Sequence, residues 1–237
     1  MSGPAHSRRS IDRAGIALRD WWLDPDPDVE MPEDAFGVLW EYRRTFRVPL
    51  QRVTVGIRQF VQRESTQVLV AQRLKRAPTI IDKLSRLPKM KVTRMEDIAG
   101  CRAVLPGGRG EIEGVLRRIE KNRWNVGRVR NYIKEPKDTG YRAIHVVVVR
   151  DGRPVEIQLR TQPQHAWAAH VERAGAMRGE ALKDGEGPPD LVEMYRMLAE
   201  SLALSEEGKQ PDMRFRTKFV RAYQKAQRQY PDIFRVT

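Results

Sequence analysis

The sequence predicts an α+β protein, because strand patterns are concentrated in the middle of the chain and helix patterns lie on both sides of them. The 237 residues are 40% hydrophobic and 32% charged, which allows a sizeable buried core in a very soluble chain. No apolar run approaches the length of a membrane span, and the basic N-terminus has no apolar stretch after it. We therefore expect a cytoplasmic protein without a membrane segment or a secretory signal.

Four strands and seven helices are predicted along the chain. The helix over 35–63 is expected to end or kink at Pro49, and the pair Asp151-Gly152 predicts a hairpin turn between the last two strands. The predicted strands cover residues 98–105, 124–132, 143–150 and 154–161. The predicted helices cover residues 11–22, 35–63, 78–87, 111–121, 164–177, 191–204 and 216–228. This order divides the chain into a leader (1–34), a main domain (35–180) and a basic helical extension (181–237).

The charge of the chain suggests a polyanionic partner. Lysine and arginine number 44 against 31 aspartate and glutamate, a net charge of +13, and eight basic residues but one acid lie between Val70 and Arg94. Solubility alone would also explain a basic chain. The tail after Gln210 interleaves basic and aromatic residues, which suits a helix docked on the core by its aromatic face and also suits single-stranded nucleic acid. We prefer the interpretation as a docked helix, which is compatible with binding of nucleic acid.

Cysteine and histidine usage excludes several classes of site. Cys101 is the only cysteine, so an internal disulfide framework and a cysteine-based zinc cluster are excluded. The four histidines have no paired spacing, so no structural metal is expected.

Candidate functional residues lie on the last strand and around two loops. Alternation puts Glu156, Gln158 and Arg160 on one face of the strand 154–161, which is also normal for a sheet surface. Asp97 precedes a buried strand, where a helix cap or an ion pair is the ordinary explanation. Tyr141 follows Gly140 and offers an aromatic platform, or simply packs at a strand end.

Four motifs occur together in a characteristic order: RLKRAPTIIDK, MEDIAGCRAV, YIKEPKDTGYRAIH, and VEIQLRT followed by HAWAAHVE. In this order and with these gaps, they resemble the RelA/SpoT-type synthetase domain over residues 65–175, and most closely the toxic small alarmone synthetases. The resemblance implies a mixed β-sheet flanked by helices, related to nucleotidyltransferases. It also implies an enzyme that moves the β,γ-pyrophosphate of ATP onto a 3′-hydroxyl and releases AMP. The hydrolase half of the long family members has no counterpart here, so a single synthetase domain is expected.

The resemblance assigns ATP binding to five positions. Arg73 and Arg102 match the arginines that sandwich the adenine, and Lys75, Thr79 and Lys83 match phosphate-side positions. Taken without the resemblance, this basic stretch is also compatible with a solvated helix face. Phosphoryl transfer requires such cations, because the phosphate charge must be held and neutralised.

The resemblance assigns the metal and the acceptor to a second group. Asp97 and Glu156 match the two carboxylates that hold Mg²⁺, and Glu156 is also expected to help deprotonate the attacking hydroxyl. Tyr141 matches the tyrosine that stacks on the acceptor base. The remaining acceptor-side matches are Arg130, Lys137, His145 and Gln158.

Four departures from the family pattern affect the acceptor side more than the ATP side. Thr79 replaces a serine and keeps its hydroxyl, and Asn131 replaces an aspartate. His165, placed here among the acceptor-binding candidates, replaces an asparagine associated with guanine recognition. The usual EHxLxYK ending is absent, and ERAGAMRGEALKDGEGPP stands in its place.

Several acceptors therefore remain open. The preferred acceptor is the 3′-CCA end of tRNA, which would make the chain a translation-inhibiting toxin with a cognate antitoxin protein. The alternative is GDP or GTP, giving the alarmone (p)ppGpp, and an adenine-type alarmone is a third outcome. A non-catalytic RNA-binding module is disfavoured because both carboxylates are present. A homo-oligomer is compatible with every one of these hypotheses.

Overall fold

The structure, a computed structural model, describes residues 6–24, 26–63, 68–122 and 124–235. The first five residues and residue 25 of the predicted leader, and the last two residues of the predicted extension, lie outside the described residues. Five strands form one sheet in the order β1-β2-β5-β4-β3, with β2 and β5 parallel and the other neighbours antiparallel. They are β1 (Leu69–Leu74), β2 (Ala99–Leu105), β3 (Val126–Asn131), β4 (Ile144–Arg150) and β5 (Arg153–Thr161). The predicted α+β class with a mixed sheet is confirmed.

Helices precede, interrupt and follow the strands. Those before β2 are α1 (Arg8–Leu23), α2 (Glu33–Arg44), α3 (Arg47–Gln62) and α4 (Ala77–Arg86). Those after it are α5 (Arg109–Lys121), α6 (Gln162–Arg178), α7 (Pro189–Glu206), α8 (Met213–Gln229) and α9 (Pro231–Phe234). Short 3₁₀ turns occupy Val92–Arg94 and Leu182–Asp184. Within the described part of the chain, no helix has the length and apolar character needed to cross a membrane.

The helix predicted over 35–63, with an end or kink at Pro49, is two helices, and only the position of the break was wrong. Pro49 lies in the first turn of α3, where backbone N–H groups have no intrahelical acceptor, so the lack of an N–H in proline costs no hydrogen bond there. The break falls earlier, at Thr45 and Phe46. The Thr45 hydroxyl donates to the Tyr42 carbonyl at 2.6 Å, and the buried Phe46 turns the chain into the core. The break between the two helices therefore lies about one turn before Pro49.

Strand β1 was not predicted from the sequence. Its residues are mostly exposed, and the basic sequence has no apolar face long enough to indicate a strand. Pairing with β2 over the full length from Leu69↔Val104 to Leu74↔Ala99 holds it at the sheet edge. This pairing brings the basic motif beside the Asp97 loop.

Two hydrophobic clusters support the sheet. The larger one packs the apolar face of β5, with Val155, Ile157 and Leu159 fully buried, against the helices that precede β3. Ile11 and Leu18 of α1, within the predicted leader, belong to it as well. The predicted alternation of apolar and polar residues on β5 is therefore confirmed.

The second cluster joins α6 and α7 to the C-terminal helices. Phe219, Tyr230 and Phe234 pack against it, and most of the other side chains of α8 are exposed. The tail therefore packs aromatic side chains against the core, as the preferred interpretation of the sequence predicted, and its basic residues are in solvent.

The turn at Gly140 is expected to be intolerant of any side chain. Gly140 has φ +87°, and a Cβ there would lie 2.6 Å from the Ala199 Cβ and 3.3 Å from the backbone of Arg196. We expect Gly140→Ala to lower the free energy of unfolding by about 2–4 kcal/mol. Gly37, on α2, has nothing within 4 Å, so Gly37→Ala should be neutral or stabilising by about 0.5–1 kcal/mol. Urea denaturation of the two variants measures both values, and equal effects would contradict the argument.

Candidate active site

A cleft of about 730 Å³ opens over the polar face of the sheet. Eleven of the thirteen residues predicted as site residues line it: Arg73, Lys75, Lys83, Asp97, Arg102, Arg130, Lys137, Tyr141, His145, Glu156 and Gln158. They come from all five strands and from the loops and helix around them. The structure thus brings together residues that lie up to 85 positions apart in the sequence (73 to 158).

Strand register explains why these side chains share one face. Residues directly opposite each other in neighbouring strands point to the same side of a sheet. Arg102 pairs with Gln158, Gln158 with His145, and His145 with Arg130, so four polar side chains form one row across the sheet. Because β5 is the central strand, it separates a cationic side at β1 and β2 from the side formed by β4 and β3.

A second row runs beside the first. Arg73 pairs with Gly100, and Gly100 pairs with Glu156. Gly100 has no side chain, so the space between the Arg73 side and the Glu156 side of the cleft stays open. Glu156 therefore faces the cleft from the central strand, with cations on one flank.

Asp97 is bound by two lysines. The ammonium groups of Lys75 and Lys83 each lie 2.8 Å from its Oδ2. Burial alone would raise the pKa of Asp97, but the charges of the two lysines hold it below its ordinary value. Its other oxygen, Oδ1, is buried and has no hydrogen-bond partner. Asp97 is therefore an ionised, partly buried carboxylate with one buried oxygen that has no partner.

Glu156 belongs to a closed ring of hydrogen bonds. His145 Nδ1 lies 3.0 Å from Glu156 Oε1, and Gln158 Nε2 donates to Oε2 at 2.7 Å. His145 Nε2 lies 2.6 Å from the Tyr141 hydroxyl. The guanidinium of Arg160 donates at 2.9 Å both to that hydroxyl and to Gln158 Oε1, which closes the ring.

The ring fixes the protonation state of its members. Burial would raise the pKa of Glu156, but the hydrogen bonds from His145 and Gln158 lower it, so the carboxylate accepts only. His145 therefore carries its proton on Nδ1, and Nε2 accepts from the Tyr141 hydroxyl. Glu156 is held in place by a histidine and an amide, whereas Asp97 is held by two full positive charges.

Tyr141 is the most deeply buried of the predicted acceptor residues. Its exposed fraction is 1%, and burial raises its pKa to about 12. The Lys183 ammonium lies 4.7 Å from the ring centroid, and the Arg160 guanidinium lies 5.2 Å from it. A base that stacks on this ring would have to displace one of these neighbours.

Two predicted site residues do not line the cleft. Thr79 lies on α4, where the structure places it partly buried. His165 lies on α6, and its Nδ1 is buried without a hydrogen-bond partner. Burial and the charges of Arg102 and Arg160 lower the pKa of His165, so the neutral imidazole is favoured beside these arginines.

Sequence reasoning missed two residues. Arg160 was placed on the functional face but assigned no role, although it is fully buried and its Nε and Nη1 have no partner. Its place beside Glu156 and Gln158 in the alternation was the available signal. Lys183 lines the cleft from the segment that replaces the usual family ending, where no motif could have indicated it.

The chain is similar to proteins of one family. Residues 72–175 match the family described as "Region found in RelA / SpoT proteins". An uncharacterized protein of Mycobacterium tuberculosis is 28% identical over 194 residues, which are 81% of this chain and 67% of that protein.

Two solved structures share the fold. Small alarmone synthetase 2 from Bacillus subtilis matches with a TM-score of 0.60 at 21% identity, over 70% of this chain and 93% of that chain. Small alarmone synthetase 1 from the same organism, bound to its product pppGpp, matches with a TM-score of 0.58 at 21% identity, over 71% and 94% of the two chains.

Proposed function

From the match of residues 72–175 to this family, we propose that the chain is an ATP-dependent pyrophosphotransferase. The observation that carries the proposal is one cleft in which two ionised carboxylates lie among cations from the strands and loops on both sides of β5. Phosphoryl transfer is catalysed chiefly by positioning and by neutralising phosphate charge, and this cleft supplies groups for both.

The donor ATP is proposed to bind on the β1 and β2 side. Arg73 and Arg102 approach the base from the two strands, and Lys75 and Lys83 supply positive charge for the phosphates. These lysines are already fixed by Asp97 at 2.8 Å, so little side-chain entropy is lost when a phosphate replaces solvent around them. Thr79, outside the cleft lining, remains a proposed phosphate-side residue.

The reaction is proposed to start from the central strand. Glu156 accepts the proton of the acceptor 3′-hydroxyl while that oxygen forms a bond to the β-phosphorus of ATP. The bond between the β-phosphorus and the α,β-bridging oxygen breaks, so AMP leaves and the pyrophosphate stays on the acceptor. The hydrogen bonds from His145 and Gln158 hold the carboxylate in position for this step.

The carboxylates fit a magnesium ion. Asp97 has a buried, unpartnered Oδ1, and Glu156 is ionised beside it, which is the oxygen donor set that Mg²⁺ takes. In the described part of the chain, no cluster of three or more His, Cys, Asp or Glu side chains could hold a metal. Such an ion would be held by these two residues together with substrate phosphates, and it would neutralise the charge of the β- and γ-phosphates.

The proposed acceptor is the 3′-CCA end of tRNA. Helix α8 carries six basic residues and no acid. All six are exposed, and five of them repeat at helical spacing, so they lie along one side of the helix: Arg214, Lys218, Arg221, Lys225 and Arg228. Such a row suits an RNA backbone, although Lys218 and Lys225 also reach acids of α7. The cationic acceptor half of the cleft would hold the terminal nucleotide.

A guanosine nucleotide is the second candidate acceptor. A structural neighbour of this fold is described as bound to its product pppGpp, and Arg130, Lys137 and His145 would suit a short polyphosphate equally well. In that case the product is (p)ppGpp, and the basic row on α8 serves another purpose.

The two acceptors can be separated in one assay. ATP labelled at the γ-phosphate is offered with GDP, GTP and deacylated tRNA together. We expect label in tRNA, and we expect it to be lost when the CCA end is removed beforehand. Label in a guanosine tetra- or pentaphosphate would support the second candidate, and no labelled acceptor with no AMP released would contradict the pyrophosphotransferase itself.

Modification of the CCA end would block translation. The chain would then act as a toxin, and its host would need a neutralising antitoxin protein. Expression of the chain alone is expected to arrest growth, and a host unharmed by it would count against this role.

A further inference from the structure

The face of Tyr141 is covered by a segment that departs from the family pattern. Lys183 places its ammonium 4.7 Å from the ring centroid, and Glu172 of α6 holds that ammonium at 2.6 Å. A cation over an aromatic face is attracted to it electrostatically. An acceptor base can stack on this face only after the contact between Lys183 and Tyr141 is broken.

The same segment also engages Lys137. The carboxylate of Asp184 lies 3.2 Å from the Lys137 ammonium, and the Thr139 hydroxyl donates to the Lys183 carbonyl at 3.1 Å. Two neighbouring residues thus contact two neighbouring acceptor-side residues: Lys183 the ring, Asp184 the cation. Asp184 supplies the negative charge that an acceptor phosphate would otherwise bring to Lys137.

The segment is a small folded unit attached at one point. Leu182 is buried in the second hydrophobic cluster and anchors it. Gly185 and Gly187 have φ of +90° and +147°, so the chain turns away after residue 184 through conformations that glycine adopts without strain. Besides Leu182, the hydrogen bond from Thr139 and ion pairs at partly exposed side chains hold it down, and such ion pairs are individually weak.

We propose that Lys183 and Asp184, which together with their anchor Leu182 we call the acceptor strap, occupy the acceptor subsite of the free protein and leave it when the acceptor binds. The proposal rests on the proposed function, because it concerns the acceptor of that reaction. Displacement of the strap reduces the apparent affinity of every acceptor by the fraction of molecules in which the strap is open. A mononucleotide has only this site from which to recover that loss, whereas an RNA has further contacts.

The test compares two strap variants with a matched control. Lys183→Met keeps the approximate length of the side chain and removes its charge. Asp184→Asn removes the negative charge that pairs with Lys137. Lys209→Met is the control, because Lys209 also forms an exposed ion pair, with Glu207 at 2.9 Å. The probes are GDP and an RNA minihelix with a single-stranded CCA end, each titrated without ATP.

We expect both strap variants to bind GDP and the minihelix about three- to tenfold more tightly than the wild type, with a similar gain for the two probes. In turnover, KM for the acceptor should fall and kcat should stay unchanged. Hydrogen exchange supplies a readout independent of activity. The amides of Asp184 and Glu186 donate to the Ala181 carbonyl, and they should exchange faster in the wild type when a probe is bound.

The contrary outcomes are distinct. Weaker binding in both variants would mean that Lys183 and Asp184 contact the acceptor. Unchanged binding would mean that the strap does not block the acceptor subsite. Either result would overturn the proposal, and so would a failure of every variant to bind either probe. Tighter binding and faster exchange without any pyrophosphate transfer would support the strap and would contradict the proposed reaction instead.

Discussion

Glu156→Gln is expected to lower kcat for AMP release by about 10²- to 10⁴-fold, the range that a positioned general base contributes. The amide has nearly the shape of the carboxylate but cannot take a proton from the acceptor hydroxyl. The fold should survive, because the glutamine can still accept from Gln158 and donate to His145 once that ring changes tautomer. AMP formation from ATP measures the loss, and a titration with a non-hydrolysable ATP analogue should give an affinity close to that of the wild type.

Glu113→Gln is the matched control for this change. Glu113 lies on the exposed face of α5, where it reaches Arg117 at 3.9 Å, and its substitution should leave kcat within a factor of two. Growth arrest on expression is a second readout, and Glu156→Gln should abolish it. A Glu156→Gln protein that still arrested growth would support the non-catalytic RNA-binding hypothesis over an enzyme.

Asp97→Asn is expected to lower kcat/KM for ATP by about 10²- to 10³-fold, which corresponds to roughly 3–4 kcal/mol of transition-state stabilisation. The substitution leaves the ammonium groups of Lys75 and Lys83 close to a neutral amide that no longer balances their charges. It also removes one of the two carboxylates proposed to hold Mg²⁺. The rate should therefore be measured over a range of magnesium concentrations, and the variant should need a higher concentration for half-maximal activity.

Asp82→Asn tests whether the loss depends on the place of the carboxylate. Asp82 lies on α4, directly before Lys83 in the same basic region, and pairs with Arg86 at 3.1 Å on an exposed surface. Its substitution should change kcat/KM by less than twofold, because exposed ion pairs contribute little. An Asp97→Asn protein with a wild-type magnesium requirement would show that Asp97 serves only to hold the two lysines.

Much of the fold could be predicted because local patterns report it. The apolar alternation of β5 and the Asp151-Gly152 turn follow from side-chain periodicity and backbone preference, which neighbouring residues alone decide. Strand β1 could not be predicted in this way. Its residues are mostly exposed, and only its hydrogen bonds to β2, some 30 positions later, make it a strand.

The candidate site, too, could be predicted from the sequence only in part. Arg73, Asp97 and Glu156 were found because their motifs resemble a family, and the structure brings them to one cleft; their roles remain predictions. The buried ring through Arg160 was not predicted, because its five hydrogen bonds depend on the register between β4 and β5 and on a tyrosine outside both strands. Lys183 gave no signal, since its segment departs from the family pattern.

By itself, the sequence determined the α+β class, most of the element boundaries and the residue types available for chemistry, because these depend on composition and short-range periodicity. Tertiary structure alone decided which charges meet. Asp97 is paired with two lysines while Glu156 is held by a histidine and an amide, and this difference arises from strand pairing between distant segments. Tertiary structure also placed Lys183 over Tyr141, because the contact depends on how α6 and the following turn pack against the sheet rather than on any neighbouring residue.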